Sequence, residues 1–389
     1  FYVWGAQLTQ SAKPLPYVKT LDVAVTKTFA ETLRTEYDAV TGENLGALIE
    51  GSSTNLALRS EEFSNATWSK VDATITANAI KAPDGTNSAD KLAAASTASI
   101  VPNGYQVVTS VAAQSYSISF YAKQAETDFV QIYFSAGQVA NNPRANFNLA
   151  SGVVGTVDAD ITATIEYSGE GVYRITASVV AVGTALRPFI ALIKSASDTK
   201  AQSNAWTIGD GVYIWGAQLE AKPFATSYIR TEGAAVSRSS DNLNIDGNSS
   251  IPEGGQDLTV SIDVSMNDAY NHQSYSKLFR LDGQPLYMQS YATSINHWMV
   301  FTNGVTLQLE PNISSGVTHS FATTYTSSKI ASYFNSVETG AITTFTPTFY
   351  NRNSTLSLGA SGSSQHIDGH ISKFSTYAQA LTQQEITLL

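Results

Sequence analysis

The stretch Val212-Tyr213-Ile214-Trp215-Gly216-Ala217-Gln218-Leu219, VYIWGAQL, decides the architecture of this chain. Val212, Ile214 and Gly216 alternate with Tyr213, Trp215 and Ala217. A period of two sends successive side chains to opposite faces of a strand. A near copy, FYVWGAQL, stands at Phe1–Leu8. The agreement holds in one register without a gap: Tyr17-Val18-Lys19-Thr20 falls on Tyr228-Ile229-Arg230-Thr231, and Val25-Thr26-Lys27 on Val236-Ser237-Arg238. A fixed long period marks repeated modules. If the second copy closes a domain, residues 1–21 are the C-terminal strand remnant of a preceding module. The alternative is one motif used twice within a single large fold. Phe1–Leu8 is expected to pair as a strand, or to leave Trp4 exposed if its own module is missing.

The same alternation recurs outward from this phrase. In Ser115–Ala122, Tyr116, Ile118, Phe120 and Ala122 face one way; Leu258, Val260, Ile262, Val264 and Met266 do so further on. Arg144–Leu149 and Tyr173–Val179 read likewise. Turn signals separate these runs, among them Pro83-Asp84-Gly85, Ser151-Gly152 and Asp210-Gly211. Helical periodicity is nearly absent. One short helix is predicted at the C-terminus, where Thr382 and Glu385 form a capping box before Ile386. The fold class is therefore all-β, tandem antiparallel β-sandwiches with minimal helix. The boundaries expected are a connector over 22–45, a first sandwich over 46–231 and a second over 232–389.

Charged residues are only 14% of the 389, against about a quarter in an average protein. Net charge is −10 with no basic run, so a nucleic-acid backbone finds no electrostatic footprint. No apolar run approaches the roughly 18–20 residues that cross a bilayer. Cys is absent, which removes disulfides, Cys-ligated zinc and any Cys nucleophile. A surface rich in Ser, Thr, Asn, Gly and Tyr suits neutral polar partners such as sugars.

Three phrases resemble a carbohydrate-binding-module-like jelly roll found in tailed-phage fibres and related adhesins. They are YDAVTGENLGALIEGSSTNLALRSEEFSNATWSK (37–70), APDGTNSADKL (82–92) and GVYIWGAQLEAKPFATSYIRT (211–231). The motifs that carry it are Thr54-Asn55-Leu56, Ser60-Glu61-Glu62-Phe63, Trp68, Pro83-Asp84-Gly85, Ala89-Asp90-Lys91-Leu92 and Trp215–Glu220. One position departs from the family, which usually has Arg before Thr-Asn-Leu where this chain has Ser53. If that Arg pairs with an internal carboxylate, the pair is lost here. The last segment is similar to concanavalin/laminin-G-like sandwiches, on HSFATTYTSSKIASYFNSVE (319–338) and IDGHISKFSTYAQALTQQEI (367–386).

Enzyme chemistry finds little footing. A glycosidase holds two carboxylates across a bond, and Glu61-Glu62 are adjacent within a motif that reads as structural. All five His lie beyond residue 270, away from any nucleophile elbow. On a strand, His366, Asp368 and His370 would share a face and could be read as metal ligands. The preferred reading is a polar outer face whose inner side carries Ile367 and Ile371. The Asp/Asn-rich turn Asp241–Asp246 and Asp210 have the oxygen ligands that Ca²⁺ takes, but no cofactor is expected.

Sugar binding rests on aromatic planes with polar neighbours. Tyr121 and Tyr133 alternate out of the core faces of their strands, and Arg144 and Asn146 line a polar strand face. In the second sandwich Tyr270, Tyr275, Tyr287 and Trp298 crowd together. Each ring has a packing alternative, core or subunit contact, and Trp68 and Trp215 read as core. The expectation is a non-enzymatic protein on the exterior of a tailed-phage virion, a homotrimeric fibre or adhesin. Its partners would be other virion proteins and host surface polysaccharide, with no nucleic acid and no membrane insertion. A capsid head fibre or decoration protein, and an accessory region of a larger hydrolase, are the alternatives.

Overall fold

Alternation becomes paired strands throughout the computed structural model. It describes residues 34–135, 137–246, 257–266, 276–281, 286–290, 298–302, 305–309, 313–314, 316–326, 328–342, 355–359 and 366–389. The repeat copy Phe1–Leu8, and Trp4 within it, lie outside them. All strand pairs are antiparallel, and the helix among the described residues is Gln383–Thr387 at the C-terminus. Its cap is the predicted one: the Thr382 hydroxyl accepts from the Glu385 N–H, and the Glu385 carboxylate accepts from the Thr382 N–H at 2.7 Å.

Two six-stranded sheets face each other in the first sandwich. One runs in the order Ile161–Tyr167, Val172–Val180, Ser115–Gln124, Gly211–Glu220, Ala89–Ala94, Ala73–Ile80. The other runs Val153–Val157, Arg144–Asn148, Phe129–Phe134, Pro188–Ile193, Asn103–Tyr105, Ser69–Val71. Period two selects the inward set: Tyr116, Ile118 and Phe120 from the first sheet meet Val130, Ile132 and Phe147 from the second. Full burial of each such side chain stabilises by about 1.5–3 kcal/mol. Trp68 and Trp206 complete this core.

The VYIWGAQL strand departs from the simple alternation expected of it. Val212 and Ile214 enter the main core, but so do Ala217 and Leu219. The register slips opposite Ser119 and Tyr121, where Gly216 takes φ +64°. An extra residue at a bulge reverses which face later side chains use. Trp215, before the bulge, alternates onto the outer face and is buried beside Ala82 and Ala89 rather than in the main core.

The second sandwich carries a correction to the expected boundaries. Thr35–Tyr37 and Asn44–Ile49 lie in its seven-stranded sheet, with Ala47 opposite Ile371 and Ile49 opposite Gly369. Ala47 and Ile49 pack with Ile262, Met266 and Ile371. Residues 46–49 thus belong to the second core, and part of the 22–45 connector is sheet. The alternation of Ala47 and Ile49 shows an inward face, but not which of two cores receives it. The opposing sheet has six strands, from Leu243–Asp246 to Val305–Leu309.

Where the chain crosses between sandwiches, polar groups make the joint. The Glu50 carboxylate accepts from the Ser227 N–H at 2.8 Å and pairs with Arg238 at 3.2 Å. Asp368 accepts from the Gly51 N–H at 2.7 Å and lies 3.8 Å from Lys222. His366 donates through Nε2 to the Asp241 carbonyl at 3.1 Å. Burial lowers the pKa of His366, outweighing the opposite pull of Asp368. A histidine held neutral by the fold contributes stability that is fully present above its unfolded value, about 6.5. That contribution is lost as pH falls through 6.5 toward the lower folded value. Denaturant midpoints measured across this window are expected to drop on acidification, and His366→Gln to flatten the slope. Equal slopes in the two proteins would refute the assignment.

Candidate functional site

The motifs behind the resemblance prove to be internal fastenings. Asn55 is fully buried, and its amide bonds the backbone of Ala217, Ile229, Ala57 and Leu219. Ser60 Oγ meets the Tyr228 hydroxyl at 2.6 Å and accepts from the Thr231 N–H. Trp215 Nε1 donates to Ser88 Oγ at 3.0 Å. Asp90 accepts from the N–H groups of Phe63 and Asn78; burial nonetheless raises its pKa. The Ser53 departure also finds its reason. The Ser53 hydroxyl donates to the buried Glu220 carboxylate, which Thr226 and Gln218 also satisfy. Arg238 stands directly opposite Ser53 on the next strand and directs its guanidinium to Glu50 instead.

A different group of side chains occupies the outer face of the sheet that contains Phe129–Phe134. Antiparallel register lines up Arg144, Tyr133, Phe189 and Tyr105 across neighbouring strands. Tyr133 and Phe189 stack at 4.5 Å with planes 5° apart, and Tyr105 follows at 4.6 Å. The guanidinium of Arg187 sits 5.3 Å from the centre of the Tyr105 ring. Burial pushes the Tyr133 hydroxyl up to about 12, with Tyr105 adding to the shift, so the phenol stays a neutral donor. Neither the Tyr105 nor the Tyr133 hydroxyl is paired with another described residue.

The structure therefore brings Tyr133, Arg144 and Asn146 to one face, but it gives them different work. Asn146 is fully buried and donates to the carbonyls of Ala196 and Asp198. Arg144 bonds the Asp198 carbonyl at 2.9 Å and Asp158 at 2.6 Å. Gln131, beside Asn146, holds Thr199 and Ala201. These three staple the loop after Ile193 onto the sheet, so Arg144 and Asn146 are corrected from ligand contacts to loop anchors. A long polar side chain beside loop carbonyls satisfies them before any solute can. Tyr105, Phe189 and Arg187 were missed from sequence. The signal was present in Arg187-Pro188-Phe189-Ile190-Ala191-Leu192, where Arg187, Phe189 and Ala191 alternate with the core residues Ile190 and Leu192.

Tyr121 lies elsewhere, on the outer face of the other sheet. Its ring is 5.4 Å from Trp215 and 6.4 Å from Tyr228, with Arg174 at 5.7 Å from its centre. Tyr121, Trp215, Ile80, Pro83, Lys81 and Lys123 line a dent in the surface of about 10 Å³, too small for a sugar ring. Below the same cluster, burial raises the pKa of Glu61 against the pull of Arg230 at 3.3 Å. Tyr270 and Tyr275 lie outside the described residues. Tyr287 and Trp298 fall in Leu286–Ser290 and Trp298–Thr302, but their side chains are also outside the described set.

His366, Asp368 and His370 do not share a strand face. Asp368 takes φ +44° and the strand begins at Gly369. His370 reaches Glu36 at 2.7 Å while His366 faces Asp241, so the two imidazoles serve different neighbours. Ile367 and Ile371 point into the core as expected. Asp241 and Asp210 are paired with Arg238 at 3.7 Å and Lys194 at 3.2 Å.

Among known families, a family described as "Concanavalin A-like lectin/glucanases superfamily" matches residues 237–387. No curated protein matches the chain. Among solved structures the chain is similar to a native heptameric SAP-like pentraxin from Limulus polyphemus, at 14% identity and a TM-score of 0.28, over 35% of this chain and 70% of that one. It is also similar to domain 4 of an extracellular arabinanase from Geobacillus stearothermophilus, solved with arabinotriose. There the identity is 19% and the TM-score 0.32, over 41% and 77% of the chains. Mouse laminin alpha1 domains LG4-5 share 10% identity at a TM-score of 0.27, over 91% and 95%.

Proposed function

We propose that this chain is a non-enzymatic glycan-binding protein, working as a fibre or adhesin on the exterior of a tailed-phage virion. The observation that carries the binding half is the half-exposed Tyr105 ring and Arg187 guanidinium on a sheet face, held by the buried Phe189 and Tyr133 rings that Tyr105 packs on. Rings fixed by strand register need no reordering to receive a ligand, and preorganised donors lose little on binding. The superfamily match over 237–387 supports a lectin-like second sandwich. The virion half is supported by the motifs around Asn55 and Trp215. A non-catalytic role is supported by the carboxylates of the first sandwich: Glu50, Asp90 and Glu220 are buried and committed to named donors.

Low charge and many exposed polar residues fit a surface that meets neutral saccharide, and assembly as a homotrimer would multiply weak sites. Each site is expected to bind at roughly millimolar strength, with avidity supplied by the copies. The test uses the purified full chain on immobilised surface polysaccharide from candidate host bacteria. Retention is expected, with loss of at least half of it in Tyr105→Ala. Absence of retention on every host polysaccharide, with undiminished binding to glycan-stripped cells, would overturn the reading.

A further inference from the structure

Arg187 differs from the other described arginines. Arg59 pairs with Glu62, Arg144 with Asp158, Arg230 with Glu61 and Arg238 with Glu50. Arg174 bonds the Ser119 hydroxyl and the Thr226 carbonyl. Among the described residues the Arg187 side chain has no carboxylate and no hydrogen-bond acceptor and rests on the Tyr105 ring; its Nε is buried without a partner, as are those of Arg174 and Arg238, whose other guanidinium nitrogens are bonded. Asn103 lies on the same face, in the row that pairs with Ala191, and is 3% exposed. Its Nδ2 donates to the Val101 carbonyl, while Oδ1 is buried with no donor. A partly desolvated cation and a buried amide oxygen left unpaired are both unfavourable until something supplies an anion and a donor. That they persist in a chain of net charge −10, with acids to spare for its other arginines, needs a reason.

We infer that this face selects saccharides carrying a carboxylate, with Arg187 as the residue that holds the acid group. The guanidinium fork matches a carboxylate in two parallel hydrogen bonds, which an ammonium cannot reproduce. Stacking on Tyr105 fixes the plane of that fork. The free Tyr105 and Tyr133 hydroxyls lie along the same row, two ring-to-ring steps of 4.6 and 4.5 Å, and supply donors to the sugar's oxygens. The acids nearest the Arg144 end of this face are engaged elsewhere: Asp158 is paired with Arg144, and Asp198 accepts from the Lys194 N–H and the Asn204 amide. The inference rests on the glycan-binding reading and narrows it to uronate-type sugars.

The experiment measures retention of the full chain on polygalacturonate, on its methyl-esterified form and on neutral dextran. Retention on polygalacturonate is expected to exceed that on the other two by about tenfold, and an acidic protein gives no non-specific attraction to a polyanion. Arg187→Gln should abolish the preference. Arg187→Lys, which keeps the charge and loses the fork, should lose most of it, with an unchanged melting temperature in each. Equal retention on the esterified polymer, or a preference that survives in Arg187→Gln, would overturn the inference and leave glycan binding standing. Retention on host polysaccharide with none on polygalacturonate would do the same. Competition by free sulfate as effective as by galacturonate would reduce the site to a simple anion site and also overturn it.

Discussion

Asn55→Ala is expected to destabilise the first sandwich by about 3 to 5 kcal/mol, the largest effect of any single polar substitution in it. The side chain is fully buried and uses all of its hydrogen-bonding capacity on backbone. Oδ1 accepts from the Ala57 and Leu219 N–H groups at 3.0 Å each. Nδ2 donates to the Ala217 and Ile229 carbonyls at 3.0 and 2.8 Å. It thereby ties the Gly211–Glu220 strand to the segment that precedes it and to the one that follows it. Truncation leaves two donors and two acceptors unpaired where water does not reach. For a module of this size the melting temperature should fall by roughly 10 °C or more. Asn55→Asp separates this account from simple loss of volume. It keeps the acceptor but turns both donors into repulsion against carbonyls, so it should be at least as damaging as Ala. An Asp variant near wild-type stability would show that the amide donors matter little.

Gly216→Val is expected to cost about 3 kcal/mol, from two sources that can be told apart. The left-handed φ of +64° penalises any residue with a Cβ by about 1–2 kcal/mol, and a β-branched one most. A Cβ there would also stand 3.1 Å from the Tyr121 ring and 3.3 Å from the Tyr228 ring, adding an overpacking cost of about 1–3 kcal/mol. Asn tolerates this backbone region, so Gly216→Asn should show mainly the crowding and lose about half as much. The near-ultraviolet signal of the Trp215–Tyr121–Tyr228 cluster is expected to change in both variants. A valine variant that melts with wild type and keeps that signal would mean the bulge is not held at Gly216.

These two positions also show how differently the sequence exposes fold and site. The alternation of Tyr116, Ile118 and Phe120 needs no partner to be recognised, because the pleat assigns faces residue by residue. The Thr382–Glu385 cap is equally local. The Gly216 bulge is not. Its glycine stands in plain view, but the slip exists only relative to Ser119 and Tyr121 on the neighbouring strand. Two of the candidate site residues were hidden in the same way. Arg144 and Asn146 do face outward as their alternation implies, yet a loop distant in sequence had already taken their donors. The alternation of Arg187, Phe189 and Ala191 shows their outward face, but that Tyr105 lies opposite Phe189 is set only by strand pairing.

By itself, then, the sequence determined the strand-and-turn character of this protein, its antiparallel sheets and the closing helix. Each depends on contacts within a few residues, and those are written as periodicity and caps. Only the tertiary structure decided that Ala47 and Ile49 complete the far sandwich, that Arg238 serves Glu50 while Ser53 serves Glu220, and that Arg187 has no counter-ion among the described residues. Burial and charge pairing are properties of the whole neighbourhood. A residue's own periodicity shows which way it points, while what it meets there is fixed by strands that the chain contributes from elsewhere.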